Sequence, residues 1–202
     1  MILSIIIIVL IVVFDQITKL LVLNSLSLFS YKTVINNFFY IIHTENSGMG
    51  FSLLDDQTFA LAVLSTVMAA GFIYYLFLTF KHETKIHKLL VISLSLVIGG
   101  TLGNMIDRWL TVFGSRGGVI DFLEFYIFGS NNDPFAIFNI ADASLVVGVI
   151  LLIFEIMFRD TKNKNVLEVE HKESVTNETK VEDNKQVSDF KNKMEDEDNN
   201  AK

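Results

Sequence analysis

Two carboxylates, Asp121 and Asp142, lie 21 positions apart in the runs GGVIDFLEF and FNIADASL, behind a third run, GGTLGNMIDRWL, that supplies Asn104, Asp107 and Arg108. Asn139 stands three residues ahead of Asp142. The cluster falls at the ends of long apolar segments, where an ionisable group costs roughly 2.5 to 3.5 kcal/mol to place beside hydrocarbon, so it asks for a functional explanation. Two aspartates brought within about 3 to 5 Å share one proton, because like charges in a low-dielectric site cannot both ionise cheaply. The ionised member then takes a proton from water while the neutral one protonates a scissile carbonyl, which hydrolyses a peptide without covalent intermediate or metal. If Asp142 falls in the first turns of a helix, the helix dipole favours its charged form and suggests it as the base.

Each motif also has a plainer role. Gly99 and Gly103 have the spacing of a small-xxx-small helix contact. Asn104, Asp107 and Arg108 share a helical face, where an Asp107–Arg108 pair would be self-contained. Asn139 could simply cap a helix, and Asp121 could be an ordinary loop carboxylate. The case rests on their joint occurrence.

Four apolar segments must position these residues. Ile2 to Phe14 is unbroken and the apolar character continues to Leu23, about the 20 residues a spanning helix needs. Lacking a basic leader and a small-residue cleavage site, it reads as a retained span. Asp15, Thr18 and Lys19 share one face of it and predict an internal ion pair or a snorkelling lysine. Phe59 to Phe80 forms the second span and Leu89 to Met105 the third, which ends in Asp107-Arg108-Trp109 with the indole as interfacial anchor. Phe135 to Phe158 forms the fourth, started by Asp133 as cap and Pro134 in the first turn. Between the first two spans, Phe38 to Thr44 reads as a short strand or hairpin, followed by the turn Asn46-Ser47-Gly48-Met49-Gly50. Lys81, Lys85 and Lys88, with Arg159, Lys162 and Lys164, put both termini in the cytoplasm. An external loop then joins the ends of spans three and four, so Asp121 and Asp142 reach similar depth and can meet.

The expected fold class is an α-helical polytopic membrane protein: four transmembrane helices, a small extracytoplasmic β element and a disordered cytoplasmic tail. Residues 1–159 form the membrane domain with external loops 24–57 and 109–136, and residues 160–202 the charged tail. Composition agrees, since 51% of the 202 residues are hydrophobic and there is one proline. The net charge of −7 says little about partners, because 12 acidic and 8 basic residues, over half the excess, fall in the tail. No basic stripe is left to track phosphates, so no nucleic acid is expected. The absence of cysteine excludes disulfides and thiolate chemistry, and the four scattered histidines form no HExxH motif. A proton- or cation-coupled transporter is the alternative, with an assembly scaffold third; four spans without a visible repeat argue against transport.

Taken together, DQITK at 15–19, NSGMGFS at 46–52, GNMIDR at 103–108, GGVIDF at 117–122 and FNIADA at 138–143 resemble the lipoprotein signal peptidase family, the type II signal peptidases. The resemblance covers about residues 10 to 158 and departs from the usual pattern at Met49-Gly50, where two alanines are common. It implies a membrane aspartic protease with Asp121 and Asp142 as the catalytic dyad and no metal or organic cofactor. Asn46, Asn104, Arg108 and Asn139 would contact the substrate backbone or orient the aspartates, and Asp15 would help shape the site. The implied partners are membrane lipids and a bacterial prolipoprotein carrying diacylglyceryl on its lipobox Cys, cut just before that Cys by a monomeric enzyme.

Overall fold

The computed structural model describes residues 1–48, 57–82, 87–126 and 134–158. Four helices among them are long and apolar enough to cross a membrane: α1 (Ile2–Ser25), α2 (Thr58–His82), α3 (Lys88–Val112) and α4 (Ile140–Phe158). Of the most apolar stretch of α3, 67% is buried inside the protein, against 17%, 28% and 22% for α1, α2 and α4, so α3 is the central helix. The others turn Ile5, Val9, Leu10, Val67, Phe77, Val146 and Ile153 outward, as lipid-facing surfaces require. Several hydroxyls within the spans are satisfied by their own helix: Ser95 Oγ donates to the Val91 carbonyl and Thr101 Oγ1 to that of Val97, while Ser144 Oγ of α4 donates to the Leu96 carbonyl of α3.

Glycines let the helices approach α3 closely. A Cβ on Gly99 would lie 2.9 Å from Cβ of Ile11 on α1, and one on Gly103 would lie 2.7 Å from Asp15 Oδ2 and 2.9 Å from Ala141 Cβ on α4. The small-xxx-small spacing is thus a contact with α1, and Gly103 serves α4 as well. Towards the opposite end, Leu76, Leu90, Leu94 and Ile98 form an apolar cluster flanked by Ile8, Phe72 and Leu152.

An antiparallel sheet covers the end where α1 and α3 finish and α4 begins. It contains β1 (Tyr31–Ile35), β2 (Phe39–Asn46), β3 (Val119–Tyr126) and β4 (Pro134–Phe138), in that spatial order. The β1–β2 turn is closed by the Phe38 N–H to the Ile35 carbonyl, with Asn37 at φ 58°, a left-handed position that asparagine tolerates. His43 Nδ1 meets the Leu26 carbonyl at 2.9 Å and ties β2 to the end of α1. Val22 of α1 packs with Ile120 and Phe122 of β3, flanked by Ile41 and Ile140.

The expected hairpin is larger than its sequence signal, spanning two strands that recruit β3 and β4 from a later part of the chain. The fourth span also starts later than expected. Residues 134–138 pair with β3, Leu123 opposite Phe138, so their backbone is extended and the helix begins only after Asn139. Pro134 fits this arrangement as the first residue of the last strand in the sheet, where no ladder donor is needed. Asp133 as cap, Met49-Gly50, Lys85 and the tail from 159 onward lie outside the described residues.

Candidate active site

Alternation along β3 sets the direction of the first carboxylate. Ile120 and Phe122, 0% and 4% exposed, face the apolar cluster, so Asp121 between them faces the other side. Thr44 pairs with it in register, and its Oγ1 donates to the Asp121 carbonyl at 3.0 Å. Two amides hold the carboxyl: Asn46 Nδ2 donates to Oδ2 at 3.2 Å and Asn139 Nδ2 to Oδ1 at 2.7 Å. The Asn46 amide is oriented in turn by the Gly48 N–H, which donates to its Oδ1. Gly118 is required beside it, since a Cβ there would lie 2.6 Å from the carbonyl carbon of Asn46.

The second carboxylate is placed by a helix cap. Asn139 is the N-cap of α4 and Asp142 its third residue. The Asp142 N–H donates to Asn139 Oδ1 at 2.9 Å, while the Asn139 N–H donates to Asp142 Oδ2 at 3.2 Å. Two amide donors at the helix start are thus satisfied reciprocally, as in a capping box. Asn104 of α3 completes the set, its Nδ2 donating to Asp142 Oδ1 at 2.7 Å and its Oδ1 accepting from Asn139 Nδ2 at 3.1 Å. A continuous chain therefore runs Asp121–Asn139–Asn104–Asp142. Burial, and then the neighbouring charge of Asp142, push the Asp121 carboxyl up to about 7, against the pull of its two amide donors.

Beneath the chain lies a buried charge cluster. Lys19, Asp15 and Asp107 are all 0% exposed, and Lys19 Nζ sits 2.8 Å from Asp15 Oδ2, 2.7 Å from Asp107 Oδ2 and 3.0 Å from Asn104 Oδ1. Arg116 pairs with Asp107, and Gln16 Nε2 donates to the Gly103 carbonyl and Asp107 Oδ1. Two carboxylates and two cations balance, which makes burial tolerable. Asp15 Oδ1 accepts the Ala141 N–H at 2.9 Å, satisfying another amide in the first turn of α4. Of the two readings of DQITK, an internal ion pair or a snorkelling lysine, the ion pair is present, whereas the self-contained Asp107–Arg108 pair, the plainer reading of GNMIDR, is not. Adjacent residues on a helix do not face each other, so Asp107 turns to α1 while Arg108 turns to α2.

Arg108 NH1 donates to Ser65 Oγ at 3.0 Å. Both residues line a cavity of about 190 Å³ bounded by Leu61, Leu64 and Met68 of α2, Thr101 and Asn104 of α3, and Asp142 and Leu145 of α4. The cavity thus combines apolar walls with a carboxylate at one side.

Asn46, Asn104, Asp121, Asn139 and Asp142 thus form one hydrogen-bonded set, Asp15 lies in the layer beneath it, and Arg108 joins it through the shared cavity. The sequence reading missed Arg116, Gln16 and Ser65. Arg116 had a signal: it is the only basic residue between Arg108 and Arg159, in a stretch rich in acids that need partners. Gln16 had one too, as a polar residue inside DQITK on an otherwise apolar span, whereas Ser65 had none, serine being common on apolar helices.

A family model described as signal peptidase (SPase) II matches residues 7–158. A lipoprotein signal peptidase of Bacillus pumilus (strain SAFR-032) is 43% identical over 150 residues, covering 74% of this chain and 89% of that protein. Two solved structures are also similar, each described as a bacterial membrane enzyme determined by the in meso method. One has a TM-score of 0.67 at 34% identity, covering 80% of this chain and 90% of its own. The other has a TM-score of 0.63 at 33% identity, covering 76% and 91%.

Proposed function

This chain belongs to the signal peptidase II family, and from that premise and the geometry of the site we propose that it is an aspartic endopeptidase with Asp121 and Asp142 as its catalytic pair. It is a multi-pass bacterial membrane protein that removes the signal peptide from prolipoproteins. The observation that carries the aspartic mechanism is the amide chain joining the two carboxyls. Asn139 donates to Asp121 and Asn104 to Asp142, holding both acids in one buried site.

In this reading Asp142, in the first turn of α4 and with both oxygens accepting hydrogen bonds, is the base. It takes a proton from water as the oxygen attacks the scissile carbonyl, and neutral Asp121 protonates the carbonyl oxygen. Collapse of the resulting diol breaks the C–N bond as the proton held by Asp142 passes to the leaving nitrogen and one diol hydroxyl returns its proton to Asp121, which restores both acids to their starting states. The cut falls just before a diacylglyceryl-bearing Cys, whose acyl chains remain in the membrane and present the bond at its surface. Asn46, Asn104, Asn139 and Asp15 orient the acids, and Arg108 binds the substrate backbone. Lys81 and Lys88 support cytoplasmic termini and an active site near the outer face. The enzyme acts as a monomer, with membrane lipids as its surroundings. No finding supports transport or a scaffold role.

The deciding experiment is cleavage of a synthetic lipidated precursor by purified protein in detergent with a chelator present. Full activity is expected. Activity lost to the chelator and restored by zinc would overturn the two-aspartate mechanism.

A further inference from the structure

The cavity beside Asp142 has a wall on α2 that the mechanism leaves without a task. Ser65, 6% exposed, donates its hydroxyl hydrogen to the Leu61 carbonyl at 2.5 Å, one turn back. Its lone pairs remain available, and Arg108 NH1 donates to them at 3.0 Å. One residue on the pattern repeats, since Thr66 Oγ1 donates to the Ala62 carbonyl at 2.8 Å and accepts from Trp109 Nε1 at 2.9 Å. Two consecutive hydroxyls of α2 therefore clasp two consecutive residues of α3. The back-bond alone would satisfy each hydroxyl, so the second bond is an additional function of the side chain.

Arg108 differs from the other two cations at the site. Lys19 and Arg116 are consumed by Asp15 and Asp107, whereas among the described residues Arg108 forms no ion pair within bonding distance. Its Nε–H is buried with no partner, beside a cavity it lines with Asn104 and Asp142. A buried donor on a cation without an acceptor is costly, and a peptide carbonyl in the cavity would relieve it. We infer that Ser65 is a positioning residue for recognition: by holding one arm of the Arg108 guanidinium, it aims the remaining donors at a backbone carbonyl of the substrate. This rests on the peptidase reading and adds α2 to the substrate-binding elements. Thr66 performs the matching packing task without touching Arg108, which makes it the control.

The test compares Ser65→Ala, Ser65→Thr and Thr66→Val in the full chain, purified in detergent, on a synthetic lipidated precursor. Ser65→Ala should raise KM about tenfold with kcat within about twofold, the pattern of lost binding rather than lost chemistry. Ser65→Thr, which keeps an oxygen in place, should restore the wild-type KM. Thr66→Val should lower the melting temperature and leave KM unchanged. An unchanged KM in Ser65→Ala, or equal KM shifts in Ser65→Ala and Thr66→Val, would reduce Ser65 to a packing residue. Absence of cleavage by the wild-type chain would instead overturn the peptidase reading beneath it.

Discussion

As the proposed catalytic pair, Asp121 and Asp142 share one proton because like charges in a buried site cannot both ionise cheaply, and their unequal surroundings, one on a strand and one at a helix start, decide which of them carries it. Asp121→Asn or Asp142→Asn preserves shape and most hydrogen bonds while removing proton transfer. Either change should lower cleavage by about 10²- to 10⁴-fold, with the melting temperature little changed. The double variant should be scarcely worse than either single one, because in the proposed mechanism the acids act as a unit. Near-normal turnover by Asp121→Asn would refute the mechanism. The acidity of Asp121 adds a pH signature. Its carboxyl is raised from 3.8 to about 7, so the neutral donor is present below that pH and lost above it. Cleavage should therefore fall as pH rises through about 7, with the midpoint belonging to the pair rather than to one residue. Stability follows the same sign: the neutral form contributes fully below the usual carboxylate range, and that contribution disappears as pH rises through about 7. A pH profile of kcat/KM flat from 6 to 9 would contradict this.

The start of α4 does two jobs with one residue. Asn139 caps the helix through Oδ1 and reaches Asp121 and Asn104 through Nδ2. Substitution can separate the jobs. Asn139→Ala should lose both, with about 0.5 to 2 kcal/mol of stability from the cap alone. Asn139→Ser keeps a capping oxygen but is too short to reach Asp121, so it should recover most of the melting temperature and little of the activity. Equal activity in the serine variant and the wild type would show that the amide bridge is dispensable. At the centre of the bundle, the glycines of α3 bring α1 and α4 close enough for Asp15 and Ala141 to meet behind Gly103. The charged layer and the cap are thereby joined.

The proposed site lies at the end of the bundle that carries the sheet, and the flanks of α1, α2 and α4 are largely apolar. Surface of that kind is stable only in lipid, where every backbone group must be satisfied within the protein. If both termini are cytoplasmic, the sheet and site lie at the outer face. A label at Ser27, just past α1, should then react from outside in intact cells, and one at Lys81, in the last turn of α2, only after the membrane is opened. The reverse pattern would place the acids at the inner face and separate them from an externally presented substrate.

What the sequence determined by itself was the membrane frame and the family to which the chain belongs. Four long apolar runs allow few structures other than spanning helices, because hydrocarbon leaves backbone groups no alternative partner, and five ordered motifs are too specific to arise from packing alone. Tertiary structure decided how the charges pair and where the fourth helix begins. Whether Asp107 meets Arg108 or Lys19 depends on which helix lies against which face of α3, and no local pattern encodes that choice. Residues 134–138 have an apolar composition compatible with helix or strand. Their pairing with β3 selects the extended form, delays α4 to Asn139, and so puts Asp142 in the first turn, where the cap can hold it.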